Sequence, residues 1–427
     1  MSPINCGLDF GTSNSTVAVA GAEGAPRLLP LEDGRVTIPS AIFFSFEDDR
    51  IYFGRRAVGE YVTGADGRLM RSLKSVLGSA LFADTTRVKR RTVPFSEILG
   101  DFVGELKRRS ETALGAGITD VIVGRPVHFV DDGLDADTEA QHQLERAVRA
   151  QGFRHVEFQF EPIAAALDYE QQVTAEELVL VIDIGGGTSD FSVVRVSPER
   201  AKSPDRQRDI LATAGVHVGG TDFDRLLSML KAMPQLGYRT LTRDGKRPLP
   251  SGPYYDLASW HRINRLYSQK TILDLRGTRS EAAYPERVGQ MIALIEQRLG
   301  HRLAGRVEEA KIALTEAPST TLSLECRDVS LRAEISRADL VRALEDAVEK
   351  IADTIGHALE RAGVGRNDIQ TLILTGGSTQ IPMIVARLRE LFPEAAFVST
   401  DAFGSVGLGL ALDARRKFGH PRKLAPA

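Results

Sequence analysis

Two stretches of this chain repeat one arrangement, and that repeat limits the fold more than any other feature. In each, an apolar strand ends in aspartate, a glycine-rich turn follows, and a β-rich run leaves the turn. The first copy is Asp9-Phe10-Gly11-Thr12-Ser13-Asn14, leading into 15–20. The second is Asp183-Ile184-Gly185-Gly186-Gly187-Thr188-Ser189-Asp190, leading into 191–196, and it begins close to the middle of the 427 residues. A chain of that length is too long for one compact core. A repeat near the half-way point predicts two similar lobes facing each other across a cleft.

The rest of the pattern is α/β. Strand-like runs at 5–8, 16–19, 121–123, 178–182, 191–196 and 371–374 alternate with helix-like runs at 139–151, 163–170, 337–362 and 383–391. Ser336 is placed to cap the helix over 337–362 and Gly363 to stop it. The polar run 199–209, with Pro204, reads as the turn of a hairpin and not as a domain linker. Hydrophobic residues are 42% and charged residues 26%, as in ordinary soluble globular proteins. A net charge of -3 argues against nucleic-acid binding and against an anionic membrane partner. The basic residues Arg415, Arg416, Lys417, Arg422 and Lys423 read as a solvated helix end and a frayed tail. Cys6 and Cys326 make neither a metal spacing nor a disulfide framework, and Cys6, within a strand, is expected buried. No apolar run reaches the ~20 residues that span a bilayer, so membrane insertion is not expected. No signal segment precedes the first strand, and the cytoplasm is the expected location.

The repeated turns carry the chemistry. Glycine lets a backbone approach a ligand with no Cβ in the way, and successive N–H groups in such a turn make a concave anion site. Thr12, Ser13 and Thr188 can add hydroxyl donors. One such turn could be an ordinary hairpin, but two matched copies predict a phosphate clamp. Asp9, Asp183 and Asp190 then converge beside phosphates and need a divalent cation. Hard oxygen ligands and phosphate point to Mg²⁺, held largely through water. Turn capping explains each aspartate singly, but not the pair Asp9 and Asp183. A third glycine-rich site is Leu372-Ile373-Leu374-Thr375-Gly376-Gly377-Ser378-Thr379-Gln380-Ile381-Pro382, a strand running through a glycine pair into a helix with proline in its first turn. A flat group can lie against such a turn, and the helix start favours negative charge.

In order and spacing, 7–19, 179–194 and 372–382 resemble the two phosphate motifs and the adenosine motif of the actin, hexokinase and heat-shock chaperone superfamily. Within it the resemblance is to the DnaK-type chaperones. Glu161-Pro162-Ile163-Ala164-Ala165-Ala166 is similar to that family's first connecting motif, and Gly124-Arg125-Pro126-Val127 to the strand end before it. Gly215-Val216-His217-Val218-Gly219-Gly220-Thr221-Asp222-Phe223-Asp224 resembles the segment that opens a small second-lobe subdomain. Glu308-Glu309-Ala310-Lys311-Ile312-Ala313-Leu314-Thr315 resembles the helix that packs on the nucleoside.

The resemblance implies a two-lobed actin-like ATPase fold of duplicated ribonuclease H-like domains. It places the first lobe at 1–165, with a small subdomain about 35–97 and completion by 395–427. The second lobe is then 166–394, with a small subdomain about 221–301. It implies ATP or ADP as ligand with Mg²⁺, and K⁺ as a candidate companion ion. Thr12 and Thr188 would contact the transferred phosphate. Lys74, in Leu73-Lys74-Ser75-Val76-Leu77-Gly78, would neutralise its developing charge; by itself it reads as a surface lysine. Asp9, Glu161, Asp183 and Asp190 would organise the cations and the attacking water. Gly11, Ser13, Asn14, Gly185, Gly186 and Gly187 would line the phosphates, and Gly219 and Gly220 would also bind the nucleotide. Glu308, Lys311 and Thr315 would face ribose and adenine, with Gly376, Gly377, Ser378 and Gln380 along the adenine slot.

The departures are Gln380, where the family usually has arginine, and Phe403, where it usually has aspartate. Asn14-Ser15 and 226–299 also follow the family loosely. After Gly404-Ser405-Val406-Gly407-Leu408-Gly409-Leu410-Ala411, similar to the last connecting helix, a short basic tail remains. The layout resembles the stand-alone, YegD-type branch without a built-in peptide-binding domain, so a protein partner or client is expected to read the nucleotide state. A small-molecule kinase is the main alternative, but Gly124-Arg125-Pro126 offers no carboxylate base. A filament-forming ATPase and a non-catalytic nucleotide-binding scaffold are the others. Lys74, Asp183 and Thr188 argue against the scaffold.

Overall fold

The computed structural model describes residues 4–79, 82, 84–129, 134–203, 205–399 and 404–419. Two mixed sheets share one topology. In the first, Asn5–Phe10 is central; it pairs antiparallel with Asn14–Ala20 across the glycine turn and parallel with Asp120–Arg125, which pairs parallel with His155–Phe160. Arg27–Leu28 and Thr37–Pro39 add antiparallel to Asn14–Ala20. In the second sheet, Glu177–Ile184 is central. It pairs antiparallel with Ser189–Val196, which carries Ile210–Val216 beyond it, and parallel with Thr371–Thr375, followed by Ala396–Ser399. Each copy thus runs two parallel strands, the Asp-ended strand, then antiparallel strands, and the chain is a duplicated actin-like fold.

Two helices bind the sheets together. Glu161–Glu170 and Ser405–Phe418 cross so closely that a Cβ on Gly409 would lie 1.8 Å from the Ala164 carbonyl oxygen, and only glycine fits there. Their alanine- and leucine-rich faces share one apolar cluster with Ile122 of the first sheet and Val179, Val181 and Ile373 of the second. Alternation fails in these strands because both faces are covered, as expected where helices pack on a sheet.

Each sheet carries a smaller unit. Ala41–Ser45, Ile51–Phe53 and Gly67–Arg71 form a three-stranded sheet with the helix Gly54–Val62 packed on it. The second lobe adds helices Gly220–Lys231, Gly252–Ala258, Gln269–Glu281, Pro285–Glu296 and Gly300–Glu316, and the hairpin Ser319–Cys326 with Val329–Ser336, around one large core.

All ten expected elements are present. Ser336 caps the helix Arg337–Ala362, its hydroxyl accepting from the Asp339 N–H, and Gly363 ends it at φ 69°. The helix expected over 139–151 starts earlier, at Leu134, with Asp135 and Asp137 favourable in its first turn. Burial pushes the Cys6 thiol up to about 12. The run 199–209 does join two antiparallel strands, yet it is no free turn. The Arg206 guanidinium is buried, donating to both Glu170 carboxylate oxygens at 2.8 Å and also to Asp209. The basic helix end corrects an expectation. Arg416 donates to the Ala201 and Ser203 carbonyls, Lys417 pairs with Glu157 and Asp413, and Arg415 donates to the Gly24 carbonyl. These three residues fasten the helix to both sheets; Arg422 and Lys423 lie outside the described residues, as do Pro204 and Phe403.

Candidate functional site

The cleft is built where the two repeated turns meet. Gly186 approaches the first turn so closely that a Cβ there would lie 2.1 Å from Ser13 Oγ. The first turn is held from beneath: the Ser40 hydroxyl donates to the Gly11 carbonyl at 2.6 Å, and the Ser40 N–H donates to the Ser13 carbonyl at 2.9 Å. The second turn is held by the start of helix Gly220–Lys231. The Gly220 N–H donates to the Gly185 carbonyl, and the Thr221 N–H and hydroxyl both donate to the Gly186 carbonyl. Thr12 and Asn14 lie at the first turn, and Gly187 and Thr188 at the second. Gly219 packs directly on the Gly186–Gly187 peptide.

Carboxylates crowd behind the turns. Asp9 ends its strand, and Asp183 stands opposite Asp190 and Thr375 in the sheet register. Glu161 opens the connecting helix and forms an ion pair with Lys74, which rides on the 3-10 turn Leu73–Val76. The Thr188 hydroxyl donates to Asp190 Oδ2 at 3.2 Å. Burial, then the Glu161 charge, pushes Asp9 up to about 7, while Lys74 pulls it back. Burial, then Asp190, Glu161 and Asp9, pushes Asp183 up to about 8. Burial works against the Lys74 ammonium, but Glu161, Asp9 and Asp183 outweigh it and hold Lys74 above its ordinary value. The cluster is short of positive charge.

A cavity of about 450 Å³ opens on this cluster, with Glu161, Asp183, Thr188 and Asp190 in its wall and His128, His217 and Arg361 further along. Among the described residues, no group of three or more His, Cys, Asp or Glu side chains is arranged to grip a metal ion directly. Hard carboxylate oxygens crowded beside the glycine turns, with more negative than positive charge, fit a hydrated Mg²⁺.

The third glycine turn joins the same centre. Gly376, at φ 82°, leaves no room for a side chain: a Cβ would lie 2.7 Å from Asp183 Oδ1. Ser378 Oγ lies close over Gly220. From the other side, Lys311 donates to the Gly220 carbonyl at 3.1 Å and pairs with Asp224 at 2.8 Å. Burial pushes Asp224 up to about 6, with Lys311 opposing. Glu308 and Thr315 share the more open side of helix Gly300–Glu316, and the Thr315 hydroxyl donates to the Ile312 carbonyl. Gln380, at the end of the turn that starts at Gly377, is exposed.

The sequence reading gave no role to Ser40, Asp224 or Arg71. Asp224 stood inside a quoted motif, but its pairing with Lys311 spans distant segments. Arg71 ends the strand just before Lys74, and Glu308 and Asp224 act on its charge.

The family model described as Hsp70 protein matches residues 5–233 and 290–422, leaving 234–289 outside the match. The chaperone protein DnaK of Thermotoga neapolitana is 26% identical over 417 residues, 96% of this chain and 58% of the relative. That of Thermotoga petrophila gives the same figures. The chain therefore spans rather more than half the length of these relatives. The matched residues contain both repeated turns, the third glycine turn and both helices that join the sheets, and the chain belongs to the Hsp70 family.

Proposed function

We propose that this protein binds ATP and ADP with Mg²⁺ in the cleft, hydrolyses ATP slowly, and works as a nucleotide-driven switch read by a protein partner. The observation that carries the reading is the meeting of the two glycine turns in front of the Lys74–Glu161 pair and the buried aspartates. The turns would hold phosphates through backbone N–H groups, with Thr12, Ser13 and Thr188 adding hydroxyls. Lys74 would face charge developing on the terminal phosphate, a role that depends on its being placed beforehand in a water-poor site. Asp183 or Glu161 would orient the attacking water, and the proton it loses would pass to whichever of the two the bound cation keeps ionised. Bound Mg²⁺ would supply charge neutralisation and a template for the phosphates, near Asp9, Asp183 and Asp190. K⁺ is a candidate companion among the same oxygens.

Gly219, Gly220, Lys311, Ser378 and the Gly376–Gly377 pair would hold the nucleoside, with Glu308 and Thr315 toward the ribose. Water is favoured over a phosphoryl acceptor because Arg125, at the strand end where a kinase would need a base, is committed to Asp137 and Gln141. The partner would hold any client, and the cytoplasm is the proposed setting. No helix among the described residues is long and apolar enough to cross a membrane.

The direct test is thermal melting with nucleotide. A ligand at a hundredfold excess over its Kd stabilises a fold by about 2.7 kcal/mol, so ATP with Mg²⁺ should raise Tm by several degrees. No shift at millimolar ATP would remove the reading.

A further inference from the structure

Arg87, Lys89, Arg90 and Arg91 follow one another closely, and no acid stands between Asp84 and Glu97. The stretch folds as a hairpin, Thr85–Val88 paired antiparallel with Arg91–Pro94, in a two-stranded sheet of its own. Alternation gives it two faces. Val88 and Val93 pack on the first-lobe core, and Thr86, opposite Val93, is buried beside them. Arg87 lies on the other face, opposite Thr92, and both are exposed. Lys89 and Arg90 form the tip and are exposed too.

The tip is braced. Lys89 sits at φ 55°, in the left-handed region that favours glycine. Its ammonium donates to the Phe46 carbonyl at 2.9 Å and pairs with Asp49 at 2.7 Å, which fastens the tip to the small three-stranded unit. Arg68, in that unit's strand Gly67–Arg71, donates to the Arg87 carbonyl at 3.3 Å. Arg87 Nε donates to the Lys89 carbonyl at 3.2 Å, which sets its guanidinium beside the tip. Arg91 pairs with Glu97 at 3.4 Å. Among the described residues, no carboxylate pairs with Arg68, Arg87 or Arg90, and all three are exposed.

We propose that this hairpin is a docking surface for a short acidic segment of a partner protein, whose carboxylates pair with Arg68, Arg87 and Arg90. A guanidinium fork matches a carboxylate with two parallel hydrogen bonds. Neighbouring strands lie about 5 Å apart and a strand rises about 3.3 Å per residue, so the cluster matches a few residues of extended chain. Asp49 beside Lys89 and Glu97 beside Arg91 border it, and they repel a polyanion that runs on in both directions. Residues 85–94 hold no aromatic side chain on which a base could stack, as single-stranded nucleic acids do on their binding proteins. A net charge of -3 gives the chain no general attraction for acid, so binding is local to the hairpin. None of these residues lines the cavity of the cleft, and the proposal stands apart from the nucleotide reading.

The test is fluorescence anisotropy of the full chain at low salt with a labelled peptide carrying a run of glutamates. The same peptide with glutamines, an oligouridine RNA and phosphatidylserine vesicles, the last by co-sedimentation, are the comparison probes. The variants are Arg90→Glu, Arg87→Glu combined with Arg90→Glu, and Arg332→Glu, an exposed residue of the hairpin in the second lobe, as control. An exposed ion pair changes affinity by roughly 1.5- to fivefold, and reversal adds repulsion of similar size. Arg90→Glu should therefore weaken the glutamate peptide about three- to tenfold and the double reversal more than about tenfold, with Arg332→Glu within about twofold of the parent. The glutamine peptide should bind far more weakly. Arg90 is exposed at the tip, so its variant keeps the fold. No saturable binding by the parent overturns the proposal, as does unchanged binding in the hairpin variants or an equal loss in Arg332→Glu. RNA or vesicles bound more tightly than the peptide, and released by the same reversals, would overturn it in favour of a nucleic acid or a membrane.

Discussion

Lys74 and Glu161 form an ion pair between the turn that follows the small first-lobe sheet and the helix that joins the two large sheets, with side chains only 10% and 15% exposed. Lys74 acts on both Asp9 and Asp183 in a centre crowded with carboxylates. Lys74→Ala should therefore cut single-turnover hydrolysis by about 10²–10³-fold, as for loss of one preorganised group in a water-poor site. ATP should still bind through the glycine turns. Calorimetry beside single-turnover kinetics checks this. Parent-rate hydrolysis, or affinity lost as severely as activity, contradicts it.

The raised aspartates fix a sign for pH. Asp9 at about 7 and Asp183 at about 8 hold protons that the unfolded chain has already released above pH ~4. The folded state binds more protons across that window, so these groups make the nucleotide-free protein less stable as pH rises from about 4 to 8. Melting in a chelator between pH 5 and 8.5 should show it as a falling Tm. His301, lowered to about 4 by burial, acts the other way below pH ~6.5, so the comparison that isolates the aspartates is parent against Asp183→Asn. The variant should lose part of the fall, and equal slopes would refute the assignment.

Glu170 and Arg206, each 1% exposed, make a two-pronged buried pair that ties the 199–209 connection to the helix Glu161–Glu170. Removing one partner strands the other charge. Glu170→Ala should cost about 3–5 kcal/mol of stability by urea unfolding, and it also deprives the Ser197 N–H of its acceptor. A loss under about 1 kcal/mol would mean the loop relaxes to let water reach Arg206.

Gln380 is exposed at the end of the third glycine turn. An arginine there can stack a flat cation on a base, where an amide offers less, a difference of roughly 0.5–2 kcal/mol. Gln380→Arg should tighten ATP and ADP equally and leave single-turnover hydrolysis nearly unchanged. Titrations with ATP, ADP and GTP test it. Unchanged adenine affinity would place the base elsewhere.

What the sequence made legible was local. Asp9 and Asp183 each sit beside their own turn, so a short stretch reveals strand, aspartate and glycines together, and the duplicated sheet follows. Ser336 and Gly363 announce a helix for the same reason. The parts that were misread or left unread depend on distant partners. Arg206 looks like a loop arginine until Glu170, from another element, is brought against it. Arg416 and Lys417 look solvated until the Ala201 carbonyl and Glu157 arrive. Lys74, on composition alone, is one more surface lysine; its burial comes from packing between three elements.

The crossing of Gly409 over Ala164 has a consequence for synthesis. Helix Ser405–Phe418, which packs on strand Asn5–Phe10, is made some 400 residues after it. At about 5–20 residues per second, that wait is roughly 20–80 seconds. From the time they are made until that helix arrives, Ile122, Ala164 and Ala165 lack the apolar surface that later covers them. The first half of this chain is thus a sticky nascent intermediate by construction, and slowing translation should lengthen its exposure.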